Sequence, residues 1–361
     1  MTEQEFIPAS YFKTIEKGVV TWESPSNIAL VKYWGKKPNQ IPENPSISFT
    51  LNHCKTITEL TYEKRDSDGS FSFEVLLDGF QKDSFKPKIE VFFDRVESYL
   101  PFLKDYHFQI ETKNTFPHSS GIASSASGMS ALALCLMSLE KQLLGDSMDD
   151  AYFNKKASFL ARLGSGSACR SIEGDLVVWG ETPSIEGSSD LFGIRYPYEV
   201  HAVFKEYQDT ILLIDKGEKQ VSSTVGHNLM YGHPYALNRF SQAHDHMKSL
   251  KTILKAGDLD SFISLVESEA LTLHAMMMTS MPYFILMKPK TLEVINKIWE
   301  FRKNTGLPIS FTLDAGANVH VLYPKSESVE ILKFIENELV AYCQNEQYIC
   351  DQIGFGANQI K

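Results

Sequence analysis

Phe116-Pro117-His118-Ser119-Ser120-Gly121-Ile122-Ala123-Ser124-Ser125-Ala126-Ser127-Gly128 is a run of small and hydroxylated residues with two glycines. It passes directly into Met129-Ser130-Ala131-Leu132-Ala133-Leu134-Cys135-Leu136-Met137, which reads as a helix. Small side chains let a ligand approach the backbone closely. A helix start adds unpaired N–H groups and the positive end of the macrodipole. Together these form a site for an anion, most often phosphate. A Ser-rich N-cap on an ordinary core helix has the same appearance, so both readings stand at this point. The stretch carries neither a Walker-type Gly-Lys-Ser/Thr nor a Gly-x-Gly-x-x-Gly fingerprint.

The chain of 361 residues, 43% of them hydrophobic, can bury a large core and build one large or two ordinary domains. Charged residues at 22% exclude wholesale disorder. A net charge of −10 argues against a nucleic-acid partner and means that a phosphorylated substrate needs a local basic cluster. Cys54, Cys135, Cys169, Cys343 and Cys350 are odd in number and show no Cys-x-x-Cys spacing. They are expected to be buried free thiols of a reducing cytosol. Met1 to Val20 lacks an apolar core and does not read as a signal peptide. The longest apolar run, Ala131 to Met137, is too short to cross a bilayer. A cytoplasmic protein without a membrane partner is expected.

The required basic cluster lies in Ser24-Pro25-Ser26-Asn27-Ile28-Ala29-Leu30-Val31-Lys32-Tyr33-Trp34-Gly35-Lys36-Lys37, with three lysines and two aromatics inside six residues. A solvated turn is the plain reading of a lysine run; Trp34-Gly35 points instead to a packed turn. A helix over Asp149 to Leu163 ends in Gly164-Ser165-Gly166-Ser167-Ala168-Cys169-Arg170-Ser171. Serine hydroxyls around an arginine fork suit carboxylate or phosphate oxygens. Asp314 sits between strands over Ile309 to Leu313 and Val319 to Tyr323, either as a turn-former or as a carboxylate presented with little bulk around it.

Further strands are predicted over Val19 to Trp22, Ile47 to Thr50, Thr56 to Tyr62, Phe71 to Leu77, Tyr106 to Thr112, Asp175 to Trp179, Val200 to Phe204 and Thr210 to Asp215. Helices are predicted over Lys86 to Leu100, Pro234 to Ala256, Asp258 to Met277, Pro289 to Asn304 and Ser326 to Glu338. The class is α+β, with a boundary near Pro197.

Four segments in order, Asn27 to Lys36, Ser120 to Gly128, Gly164 to Ser171 and Thr312 to Asn318, resemble the mevalonate diphosphate decarboxylase branch of the GHMP kinase superfamily. The resemblance implies a two-domain GHMP kinase fold. Residues 1–196 would be a ribosomal S5-like domain with the phosphate loop, and residues 197–361 a ferredoxin-like domain carrying Asp314. It implies a homodimer, ATP with Mg²⁺, and conversion of mevalonate 5-diphosphate to isopentenyl diphosphate, ADP, phosphate and CO2. Asp314 would be the base, Lys32 its charge partner and Arg170 the carboxylate holder. Asn27, Tyr33, Lys36, Ser165 and Ser167 would bind substrate. Ser120, Gly121, Ala123, Ser124, Ser125 and Ser127 would bind ATP, with Ser124 reaching its Mg²⁺. The sequence departs from the family pattern at His227-Asn228, where Met-Arg is common, and His233 and Arg239 stand nearby as replacements. A mevalonate 5-phosphate decarboxylase and a kinase that keeps its CO2 are the alternatives.

Overall fold

The computed structural model describes residues 1–117, 122–145, 148–216 and 223–361, the side chains of 223 and 224 excepted. Ser120 and Gly121, expected from the resemblance to bind ATP, lie outside the described residues, as does His118.

Alternation over Cys54 to Tyr62 of β2 (Ser46–Lys64) buries every second residue, as in Thr56, Thr58, Leu60 and Tyr62, while β1 (Lys17–Val31) is buried without a break from Ser24 to its end. These two strands are the spine of an eight-stranded sheet. It also holds β3 (Ser72–Leu77), β4 (Phe80–Gln81), β5 (Tyr106–Asn114), β6 (Leu176–Trp179), β7 (Ile194–Arg195) and the late β12 (Asn358–Gln359). Its order is β12-β1-β2-β5-β3-β4, with β6 on the far end of β2 and β7 beyond it. Among the described residues only β3 and β5 run parallel, joined by a crossover containing α1 (Lys86–Val96). Helices α1, α2 (Ser124–Leu143) and α3 (Asp150–Gly164) seal Val20, Leu60, Tyr62, Phe108 and Ile110 into the first core.

The second half has a four-stranded antiparallel sheet, ordered β11-β8-β10-β9, from β8 (Gln208–Leu212), β9 (Ser310–Thr312), β10 (Val319–Tyr323) and β11 (Tyr348–Gln352). Its period of two splits the strands between cores. Leu212, Phe311, Val319 and Val321 join α7 (Pro289–Thr305) and α8 (Ser328–Phe334), while Ile211, Leu213 and Leu322 pack with Ile28, Leu30 and Phe49 of the first sheet. Between the halves run α4 (Ser223–Asn228), α5 (Ala236–Ala256) and α6 (Leu259–Met278).

Most predicted elements are present with shifted ends. The predicted strand at Val200 to Phe204 is absent: Ala202–Phe204 is a 3₁₀ turn, and the His201 ring accepts the Val203 N–H at 3.2 Å. Within Ser24 to Lys37, the segment that carries the basic cluster, the chain is strand through Val31, with register shifts at Pro25/Asn27 and Ala29/Val31. Opposite the first shift the N–H groups of Asn52, His53 and Cys54 lose their strand partner. The Asp351 carboxylate of β11 accepts all three at 2.8–2.9 Å. All five cysteines are free as expected, but Cys350 is exposed on the outer strand of its sheet, against the expectation of burial.

Candidate active site

Strand β1 ends at Val31, and the chain that leaves it carries Lys32, Tyr33 and Trp34 into the junction of the halves. Lys32 is 1% exposed, and its Nζ lies 3.6 Å from Asp314 Oδ1 with no hydrogen-bond partner among the described residues. Burial pushes the Lys32 ammonium toward neutrality; Asp314 and then Glu269 oppose this, and Arg170 adds to it. Asp314 stands in the tight β9–β10 turn. Its carbonyl accepts the Gly316 N–H at 2.7 Å and Nε2–H of the buried His274 at 3.1 Å.

Arg170 comes from the 3₁₀ segment Gly166–Ser171 that follows α3. It is 3% exposed, donates to Asn27 Oδ1 at 3.4 Å and to Ser46 Oγ, and lies 5.8 Å from the Trp179 ring. The Asn27 amide is occupied as well, donating to Ser171 Oγ at 2.8 Å and the Ser167 carbonyl at 3.2 Å. Asn27 therefore orients Arg170 as much as it lines the cavity. Gly166 makes room for this packing: a Cβ there would stand 2.9 Å from both Tyr33 Oη and the Trp179 ring.

Helix α2 opens after Ala123, which is held in the left-handed region (φ 47°) and has no side chain with which to cap it. Its first N–H groups, with the Ser124 and Ser125 hydroxyls, face the cavity. Ser127 does not. It is fully buried, 2.6 Å from Thr56 Oγ1 on the sheet side of the helix, so its assignment to ATP is withdrawn. Ser127→Ala is expected to cost about 1 kcal/mol in a urea melt and to leave the KM for ATP unchanged; a raised KM would restore the assignment.

These groups share one cavity of about 790 Å³. Lys32, Arg170, Asp314, Ser165 and Ser167 line it. Thr58, Val75, Leu77, Ile110, Met129 and Leu132 add a largely apolar part of the lining, which was missed in the sequence because it is scattered over three strands and α2. Tyr33, Lys36, Gln40 and His227 line the cavity as well. Lys36 Nζ donates to Gln40 Oε1 at 2.9 Å, and the loop between them has two left-handed residues, Asn39 and Gln40, pinned by the buried Arg162 to the Asn39 carbonyl.

His227 was noted in the sequence only as a departure. It lies between the rings of Tyr33 (4.3 Å) and Trp34 (4.6 Å). Its Nδ1 accepts the Gly35 N–H at 3.0 Å, so the neutral ring carries its proton on Nε2. His233 and Arg239 do not fill the place once given them. His233 bonds the Met276 carbonyl, and Arg239 is locked in an ion pair with Glu269.

Burial lowers His227 to about 3 and His274 to about 4. Unfolded imidazoles take up protons near 6.5, so between pH 6.5 and about 4 the unfolded chain binds more protons and stability falls as pH drops. The urea midpoint is expected to decline through this window. His274→Asn should flatten the decline by about one proton; an unaltered slope would show that His274 is charged in the fold.

A helix start open to anions, facing a carboxylate delivered by a second sheet across a cleft, is the architecture of the GHMP kinase superfamily, in its two-domain α+β form. Residues 24–190 match the diphosphomevalonate decarboxylase-like N-terminal domain, and residues 210–357 match the mevalonate 5-diphosphate decarboxylase C-terminal domain. The chain is 30% identical to the diphosphomevalonate decarboxylase of Ganoderma lucidum over 93% of its own length and 85% of the relative's. It belongs to the diphosphomevalonate decarboxylase family. The crystal structure of mevalonate diphosphate decarboxylase from Staphylococcus aureus is 28% identical, with a TM-score of 0.80 over 96% of this chain and 98% of that one. A further solved structure, in complex with MVAPP, AMPPCP and magnesium, is 27% identical with a TM-score of 0.80 over 96% and 99%.

Proposed function

We propose that this chain catalyses the ATP-dependent decarboxylation of mevalonate 5-diphosphate to isopentenyl diphosphate, a step of isoprenoid biosynthesis. The observation that carries the reading is the convergence of Lys32, Asp314 and Arg170 in one cavity that the first residues of α2 also line. Family membership and the ligands of the solved relative support it.

Asp314 takes the proton of the tertiary 3-hydroxyl as that oxygen accepts the terminal phosphoryl group of ATP and ADP departs. The C–O bond to the new phosphate then breaks. The electrons of the C–CO2 bond form the double bond, releasing phosphate and CO2. Lys32 balances charge at the reacting oxygen, and Arg170 holds the departing carboxylate with Ser165 and Ser167 beside it. Tyr33, Lys36 and the Nε2–H of His227 take the diphosphate. Ala123, Ser124 and Ser125 cradle the triphosphate, and the apolar part of the lining takes the purine. The hard hydroxyl oxygens of Ser124 and Ser125, joined by phosphate oxygens, fit Mg²⁺. When bound it offsets charge on the transferring phosphates.

The catalytic groups come from both sides of a boundary we place at residue 197, a division supported by the gap between the two matched stretches. A homodimer is proposed as well. Tyr231, Tyr235, Leu237, Met281, Tyr283 and Ile285 are exposed on two segments joined through His233, offering an apolar face; sedimentation equilibrium giving a monomer would overturn it. No described helix is long and apolar enough to cross a membrane. Free cysteines support a cytoplasmic location, which cell fractionation tests.

The deciding experiment measures ADP and CO2 from ATP and Mg²⁺ with mevalonate 5-diphosphate, mevalonate 5-phosphate and mevalonate in parallel. Equal ADP and CO2 with the diphosphate is the expected result. Preference for the monophosphate would reassign the substrate, and ADP without CO2 would make the protein a kinase.

A further inference from the structure

Lys32 lies one residue beyond the last β1–β2 pair, Val31↔Ile47, so its backbone has lost its strand partner in a place water does not reach. Side chains replace that partner. The Lys32 N–H donates to Glu269 Oε2 of α6 at 2.8 Å. The Lys32 carbonyl accepts Arg239 Nη2 of α5 at 3.0 Å and Asn44 Nδ2 at 2.9 Å. Arg239 and Glu269 are themselves joined by two hydrogen bonds of 2.6 and 2.9 Å and are both fully buried as side chains. The pair therefore presents one donor and one acceptor to a single residue, as a neighbouring strand does. Its outer edge is closed by His246, whose Nδ1 lies 2.6 Å from Glu269 Oε1.

We infer that Glu269 and Arg239 are positioning residues for Lys32, fixing a lysine of the first half in register with Asp314 of the second. The inference rests on the reading of Lys32 and Asp314 as the reacting pair. Breaking a buried ion pair costs far more than either partner contributes in water, so such a pair tends to hold one geometry. Among the described residues Lys32 Nζ has no hydrogen bond of its own to fix it, which leaves its backbone as the point of control. Glu269 also acts through its charge. Burial opposes its ionisation, but the hydrogen bond from His246 and the charge and hydrogen bonds of Arg239 outweigh burial and keep it ionised. Its negative charge in turn helps Lys32 keep its proton.

The test is Glu269→Gln in the full chain. Neutralising Glu269 leaves the Arg239 charge unopposed beside Lys32, so the Lys32 ammonium should lose its proton at lower pH. The alkaline limb of the kcat profile is expected to move to lower pH, and kcat to fall by about 10- to 100-fold with KM for ATP little changed. Lys32 itself is followed by ¹⁵N NMR titration of lysine-labelled protein, with Lys32→Met identifying the signal. An unmoved titration and an unmoved pH profile would overturn the proposal. If Glu269→Gln does not fold, the apolar pair Arg239→Met with Glu269→Leu decides it: native kcat and native Lys32 titration in that variant would overturn it equally. Absence of ADP and CO2 from the native protein counts against the decarboxylase reading alone, since the NMR titration needs no turnover.

Discussion

Asp314→Asn is expected to lower kcat by about 10²–10⁴-fold, the range general-base assistance supplies, while the protein folds as before. The fold should survive because the substitution is isosteric and the turn is held by its backbone. The Asp314 carbonyl keeps its bonds from Gly316 and His274 whatever the side chain carries. Activity should not survive, for two reasons. The amide has no basic oxygen with which to take the hydroxyl proton. It also deprives Lys32, 1% exposed and with no hydrogen bond to its Nζ among the described residues, of the carboxylate 3.6 Å away that most favours its charged form. Initial rates of ADP release at saturating substrates check the result beside a thermal melt. A folded variant with more than about a tenth of native kcat would mean that another group is the base, because general-base catalysis worth so little falls below that range.

The helix that closes the stretch Phe116 to Gly128 was legible because its apolar run is local; the anion site at its start stands as a proposal. Its one misreading has a local cause too. The helix was expected to begin at Met129, so Ser127 was counted as loop. It begins at Ser124, and Ser125, Gly128, Met129 and Leu132, at i, i+3, i+4 and i+7, then face the cavity while Ser127 turns toward Thr56. Lys32, Arg170 and Asp314 were assigned as a set through motif order, since 143 positions separate Asn27 from the Arg170 it orients. The supports of these residues could not be read. Arg239 was visible only as a spare cation near His227-Asn228. That its partner is Glu269 and its target the Lys32 peptide depends on two helices packing across the junction. Asp351 filling the broken β1–β2 ladder from near the C-terminus is the same kind of long-range pairing, invisible to periodicity.

Arg170→Lys is the substitution that separates holding the carboxylate from merely neutralising it. The guanidinium is fixed on three sides, by Asn27 Oδ1 on Nε, by Ser46 Oγ on Nη1 and by the Trp179 ring, so its fork has a defined plane in a site only 3% exposed. Lysine keeps the charge but loses the planar fork and these anchors, leaving a mobile point charge in a buried pocket. Loss of one preorganised group of this kind costs about 10²–10³ in rate, and kcat/KM for mevalonate 5-diphosphate is expected to fall by that order. The distribution of the loss is the sharper result. In the proposed mechanism Asp314 and Lys32 serve phosphoryl transfer to the 3-hydroxyl, whereas C–C cleavage needs the carboxylate held in plane. In a single turnover ADP should therefore appear ahead of CO2, and the 3-phosphorylated substrate should accumulate. Equal slowing of ADP and CO2 would place Arg170 in substrate binding alone, and unchanged rates of both would remove it from the site.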